Sequence, residues 1–121
     1  DLGVMDSNGI VTIMDRIKDM INRGGEKIYS VEVEDVLYSN PKIMEAAIVG
    51  VPDDVYGEAV KACIVPREGQ SLTEEEVKNW VRERLAKYKV PAYVEFMDLL
   101  PRNPNGKVMK TELRYIPKVN Q

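Results

Sequence analysis

Two short stretches hold most of the side chains able to do chemistry. The first is Asp15 to Glu34, DRIKDMINRGGEKIYSVEVE, too charged for a core strand and too rich in glycine for a continuous helix. Arg16, Lys18, Arg23 and Lys27 crowd around Gly24 and Gly25, whose missing side chains permit positive φ or close approach of backbone to a ligand. Such a surface could meet an anion or a narrow substrate, and the same composition also describes a solvated hairpin with a glycine turn. The second stretch is Pro104-Asn105-Gly106-Lys107. Asn-Gly favours a tight or left-handed turn, and the lysine after it stands on an exposed, hinged loop. Its ammonium could offset charge between two anions, for example a carboxylate approaching a phosphate. A surface lysine that merely follows a turn fits the same residues.

What is missing narrows the chemistry. The chain has no histidine. Ser-His-Asp and Cys-His catalysis and the usual zinc sets are therefore excluded within it, and no metal ligand is assigned. The one cysteine, Cys63, cannot form an internal disulfide and lies in an alternating strand-like run, where a buried structural thiol is expected. A reducing cytoplasmic setting fits that usage and is the expected location. A net charge of -3 gives no support for a nucleic-acid or anionic-membrane binder, so any anion site must be local. No stretch is long and apolar enough for a membrane span or a signal-peptide core, and export is not expected.

The elements that must position these residues follow from pattern. With 121 residues, 44% hydrophobic and 31% charged, one domain with one real core is expected. Residues 2 to 14 read as a small hairpin around Asp6-Ser7-Asn8-Gly9. Met20-Ile21 and Ile28-Tyr29 flank a second short hairpin or glycine loop. Ser30 is the expected N-cap of a helix carrying Val33, Val36 and Leu37 on one face, with Glu32, Glu34 and Asp35 as charge partners of its positive end. Ile43 to Val51 and Glu58 to Arg67 are strands, expected to pair antiparallel across a loop longer than a tight turn, Pro52 to Gly57. In the second, Val60, Ala62 and Ile64 face one way and Lys61 and Cys63 the other, as in a half-buried sheet. Thr73 and Glu76 form a capping box for a helix with Val77, Trp80, Val81 and Leu85 as its apolar stripe, stopped at Lys89-Val90-Pro91. Val94 to Met97 is a short strand, and Lys110 to Tyr115 a last helical turn. The pattern predicts an α+β fold, a small and mainly antiparallel sheet with helices packed on it, preceded by a β-hairpin.

Taken together and in this order, DLG at the start, DRIKDMINRGGEKIYSVEVE, VGVPDDVYGEAVKACIV and LAKYKVPAYVEFMDLLPRNPNGKVMKTELR closely resemble the C-terminal domain of the adenylate-forming superfamily. Acyl-CoA synthetases, nonribosomal peptide adenylation domains and luciferases belong to it. Within it the chain looks most like fatty-acyl or aryl-acid CoA ligases, and the resemblance runs from Asp1 to about Arg114.

That resemblance implies a hinge-proximal hairpin over residues 1–15 and a mobile lid over residues 16–121, with the larger N-terminal domain absent. It implies a two-step reaction in which a carboxylic acid, ATP and Mg2+ give an acyl-adenylate and pyrophosphate, and coenzyme A then displaces AMP. Lys107 matches the catalytic lysine of the first step, and Lys18 the hinge position, where relatives carry Asp or Lys. Arg16 and Asp1 match nucleotide-ribose contacts. Gly24, Gly25, Glu26 and Lys27 match the loop beside the pantetheine tunnel, and the Tyr88-Lys89 region lies near the CoA nucleotide. The partners implied are the N-terminal domain of the same polypeptide, CoA and the acid, with no nucleic acid and no membrane span. The isolated 121 residues are expected to be inactive. Two other readings fit at this stage: a carrier-protein-loading adenylation fragment, and a stand-alone non-catalytic α+β binding module.

Overall fold

A computed structural model describes residues 19–117. Strands β1 (Met20–Arg23) and β2 (Glu26–Tyr29) pair antiparallel with Arg23 opposite Glu26. Gly24 and Gly25 are left as a two-residue loop with φ of 59° and 93°. Two successive positive φ values define the type I′ turn, whose twist suits a hairpin and whose backbone glycine adopts at no steric cost. The turn itself thus asks for both glycines.

The hairpin runs straight into helix α1 (Ser30–Tyr38), and this displaces the expected cap. Tyr29 is the extended residue before the helix and makes no side-chain cap. Ser30 is already in the first turn; its side chain is buried, and its N–H donates to the Asp19 carbonyl at 3.0 Å. Val33 and Leu37 are buried and Val36 packs beside them, as the spacing requires.

Strands β3 (Ile43–Asp53) and β4 (Gly57–Pro66) pair antiparallel from Asp53 opposite Gly57 back to Ile43 opposite Pro66. The connection between them is shorter than the sequence suggests. Asp53 Oδ2 accepts from the N–H groups of Val55 and Tyr56 at 3.0 and 2.8 Å, and Gly57 takes φ of 85°, which closes a three-residue loop. Helix α2 (Glu74–Arg82) carries the expected capping box, with Thr73 Oγ1 accepting from Glu76 N–H and Glu76 Oε1 from Thr73 N–H. It stops earlier than expected, because Ala86 is extended with ψ of 150°. The break is followed by a 3-10 turn (Lys87–Lys89) and lets Tyr88 and Val90 pack on the core. β5 (Tyr93–Phe96) then pairs parallel with β4, completing the order β3-β4-β5.

The three-stranded sheet is covered on both faces. Ala46, Ile48, Val60, Ala62 and Ile64 share one core with both helices and with Ile21 and Ile28 of the hairpin. On the other face, Ala47, Val49, Cys63 and Val65 pack against Leu100, Val108 and Leu113. A half-buried sheet is therefore not what forms: the segment after β5 is a third layer. The α+β class, the mainly antiparallel pairing and the final turn, a 3-10 helix over Lys110–Leu113, agree with expectation. The hairpin expected at residues 1–15 lies outside the described residues. Among the described residues no helix is long and apolar enough to cross a membrane.

Candidate functional site

The Lys107 turn grows out of the second core. Leu100 and Val108 are fixed there, Arg102 and Val108 form an antiparallel bridge, and Met109 N–H donates to Pro101 O at 2.8 Å. Between these ends Asn103 organises the loop. Its Oδ1 accepts from Asn105 N–H at 2.9 Å and Lys107 N–H at 3.0 Å, while its own N–H donates to Lys107 O at 2.9 Å. Gly106 supplies φ of 88°. The Arg102 guanidinium donates to Gly106 O at 2.7 Å and pairs with Glu45 on β3. The sequence suggested a hinged loop; the structure has a braced one. A braced turn holds its lysine in place while leaving the residue exposed.

Lys107 stands at an open cleft of about 540 Å³ that Asp19, Glu34, Asn103, Lys110 and Arg114 also line. That volume lies within the span of small-molecule sites, roughly 300–1,000 Å³. Inside it Lys110 Nζ bridges two carboxylates, pairing with Asp19 and, at 2.7 Å, with Glu34 Oε2. Glu34 Oε2 also accepts from Ile48 N–H at 2.9 Å. It is thus an anchor between α1 and β3 rather than a charge partner of the helix end. Arg114 lies 4.0 Å from Asp19. The cleft joins residues from both ends of the described chain, and Asp19 directly follows the expected hinge residue Lys18.

Gly24, Gly25, Glu26 and Lys27 form a separate surface and do not line this cleft. Gly24 N–H donates to Tyr56 O at 2.8 Å, and Asn22 N–H to Glu58 Oε1 at 2.7 Å, so the β3–β4 loop supports the hairpin tip. A Cβ on Gly24 would meet the Tyr56 ring at 2.9 Å, whereas one on Gly25 would meet nothing within 4 Å. The close approach at Gly24 is therefore internal, and only Gly25 faces open space. Arg23 stacks on Tyr56 at 3.9 Å and pairs with Glu26 at 3.6 Å. Lys89 is engaged as well: its Nζ binds Glu32 Oε1 at 2.7 Å, and this hydrogen bond raises its pKa.

Asp1, Arg16 and Lys18 lie outside the described residues. Lys110, Asp19, Glu34 and Arg114 were not anticipated from sequence, nor was Lys61, which is fully buried. Lys110 and Arg114 sit in the same NGKVMKTELR run as Lys107, three and seven residues on, and that clustering was the available signal. Among the described residues no group of three His, Cys, Asp or Glu side chains could hold a metal ion.

Comparison with known proteins shows the family. Residues 32–107 match the AMP-binding enzyme C-terminal domain. The chain belongs to that family. It is 46% identical over 114 residues to a feruloyl-CoA synthase of Amycolatopsis sp, a match covering 94% of this chain and 23% of that protein. In structure it is similar to a fatty acyl CoA synthetase of Mycobacterium tuberculosis, with a TM-score of 0.74, 41% identity, and coverage of 80% of this chain and 19% of that one. It is also similar to ATP-bound MatB from Rhodopseudomonas palustris, with a TM-score of 0.77, 39% identity and coverage of 80% and 19%. The chain spans about a fifth of the length of these AMP-binding enzymes.

Proposed function

We propose that this AMP-binding C-terminal domain, residues 16–121, is the lid of an acid–CoA ligase and brings Lys107 to the adenylation step. The observation that carries the reading is the braced turn, which offers an exposed lysine at the mouth of a cleft in a chain of this family. In the first step a carboxylate oxygen attacks the α-phosphorus of ATP and pyrophosphate leaves. Lys107 reduces the repulsion between the two anions as the new bond forms. In the second step the CoA thiol attacks the acyl carbon and AMP leaves.

Asp1 and Arg16 would meet the nucleotide ribose, and Lys18 would be the hinge. Gly24, Gly25, Glu26 and Lys27 would lie beside the pantetheine arm, with Gly25 facing it. ATP, Mg2+ and the acid would be held mainly by an N-terminal domain of the same polypeptide. The kinship with feruloyl-CoA and fatty acyl CoA synthetases favours thioester formation over loading of a carrier protein.

The test is Lys107→Ala in the full-length protein. Acid-dependent pyrophosphate exchange should fall by roughly a hundredfold or more, the effect of removing one preorganised charge. Thioester formation from supplied acyl-adenylate should change little. Equal loss in both steps would contradict the role given to Lys107.

A further inference from the structure

Lys61 sits in the middle of β4 with no exposed surface. Three contacts converge on its ammonium. Nζ donates to the Leu113 carbonyl at 2.9 Å, pairs with Glu95 Oε1 at 2.8 Å, and lies 3.4 Å from the centroid of the Tyr115 ring. Tyr115 closes the set by donating its hydroxyl to Glu95 Oε2 at 2.9 Å. The partners come from β5 and from the C-terminal segment, some fifty residues further along the chain.

Stability alone does not account for a lysine there. Withdrawing an ammonium from water is costly, and well-packed apolar side chains commonly replace buried ion pairs without loss. Nor does the group line the Lys107 cleft, so it is not placed to touch a ligand there. What a lysine supplies, and a methionine could not, is direction: a carbonyl, a carboxylate and a ring face must each take one position around it. The segment so held is Lys110–Tyr115. It carries Lys110 and Arg114 of the cleft and continues from the Lys107 turn through Val108, in the same core as Leu113.

We propose that Lys61 is a positioning residue, which sets the Lys107 turn and the Lys110–Tyr115 segment from inside the core through Leu113, Glu95 and Tyr115. The proposal rests on the adenylation role of Lys107 for its catalytic consequence, but its structural consequence can be measured without that role.

The experiment uses Lys61→Met and Tyr115→Ala in the full-length protein, with Lys107→Ala alongside. Amide hydrogen exchange at Met109, Glu112 and Tyr115 should quicken by about tenfold or more in both variants, while the paired amides of β3 keep their protection. The kcat of acid-dependent pyrophosphate exchange should fall by about tenfold to a hundredfold, the scale of a small misplacement of a catalytic group. The KM for ATP and thioester formation from supplied acyl-adenylate should hold. Unchanged amide exchange at these three residues, or equal loss in both half-reactions, would overturn the proposal. Should Lys61→Met not fold, Tyr115→Ala, which alters a partly exposed side chain, decides alone. If Lys107→Ala spares adenylation, the functional reading fails, and the amide exchange still decides whether Lys61 is the anchor.

Discussion

Cys63 shows what burial does to one group. Burial pushes its thiol up from 9.0 to about 11, against the opposing pull of the Lys61 ammonium and with a smaller push from Glu95. Below pH 9 the thiol is neutral folded or unfolded and adds no pH dependence. Between pH 9 and 11 the unfolded thiol ionises while the folded one keeps its proton, so stability falls as pH rises. The loss from this group reaches about 2 to 3 kcal/mol by pH 11. Tyr115, raised to about 12 first by its hydrogen bond to Glu95, acts in the same direction from pH 10 upward. Unfolding followed across pH 8 to 10 should show the decline, and Cys63→Ala should remove most of its onset; an equal slope in that variant would contradict the assignment. The residue was legible as a buried thiol because a lone cysteine in a strand-like run is usually buried and structural. Lys61 was not. Alternation put it on the polar side of β4, and nothing local marks that side as covered by residues fifty positions away.

At the scale of elements, the glycine hairpin and the layers behave differently. The pairing of β1 with β2 could be read from sequence because a Gly-Gly loop between short apolar runs has few alternatives. Its support by Tyr56 could not, since that contact joins two loops distant in sequence. Gly24→Ala should cost about 1–3 kcal/mol, from a left-handed backbone and a Cβ against the Tyr56 ring. Denaturant melts of Gly24→Ala, Tyr56→Ala and the double variant should show partial relief in the double; strict additivity would remove the contact from the explanation. Both strands of the β3–β4 pair and the capping box of α2 were legible for local reasons. The end of α2 was not, because its cause is the turn that brings Tyr88, Lys89 and Val90 back to the core and to Glu32.

For the whole molecule, the described residues form two surfaces with different equipment. The Lys107 cleft is cationic at its rim and tied through Lys110 to Asp19, beside the expected hinge. The hairpin tip, with Gly25 open and Arg23 and Lys27 around it, is a different surface. A domain that turns between two half-reactions would present one and then the other. On the reading proposed above, ATP and the acid would be held mainly by an N-terminal domain, so the isolated 121 residues should give no sustained ATP- and acid-dependent thioester formation. Sustained turnover by the isolated chain would reject the lid assignment. The most direct measurement is to compare Lys107→Ala and Gly25→Leu in one full-length protein, following acid-dependent pyrophosphate exchange and thioester formation from supplied acyl-adenylate. The account predicts opposite losses, adenylation in the first variant and thioester formation in the second. Loss of the same half-reaction in both would contradict the division of labour between the two surfaces.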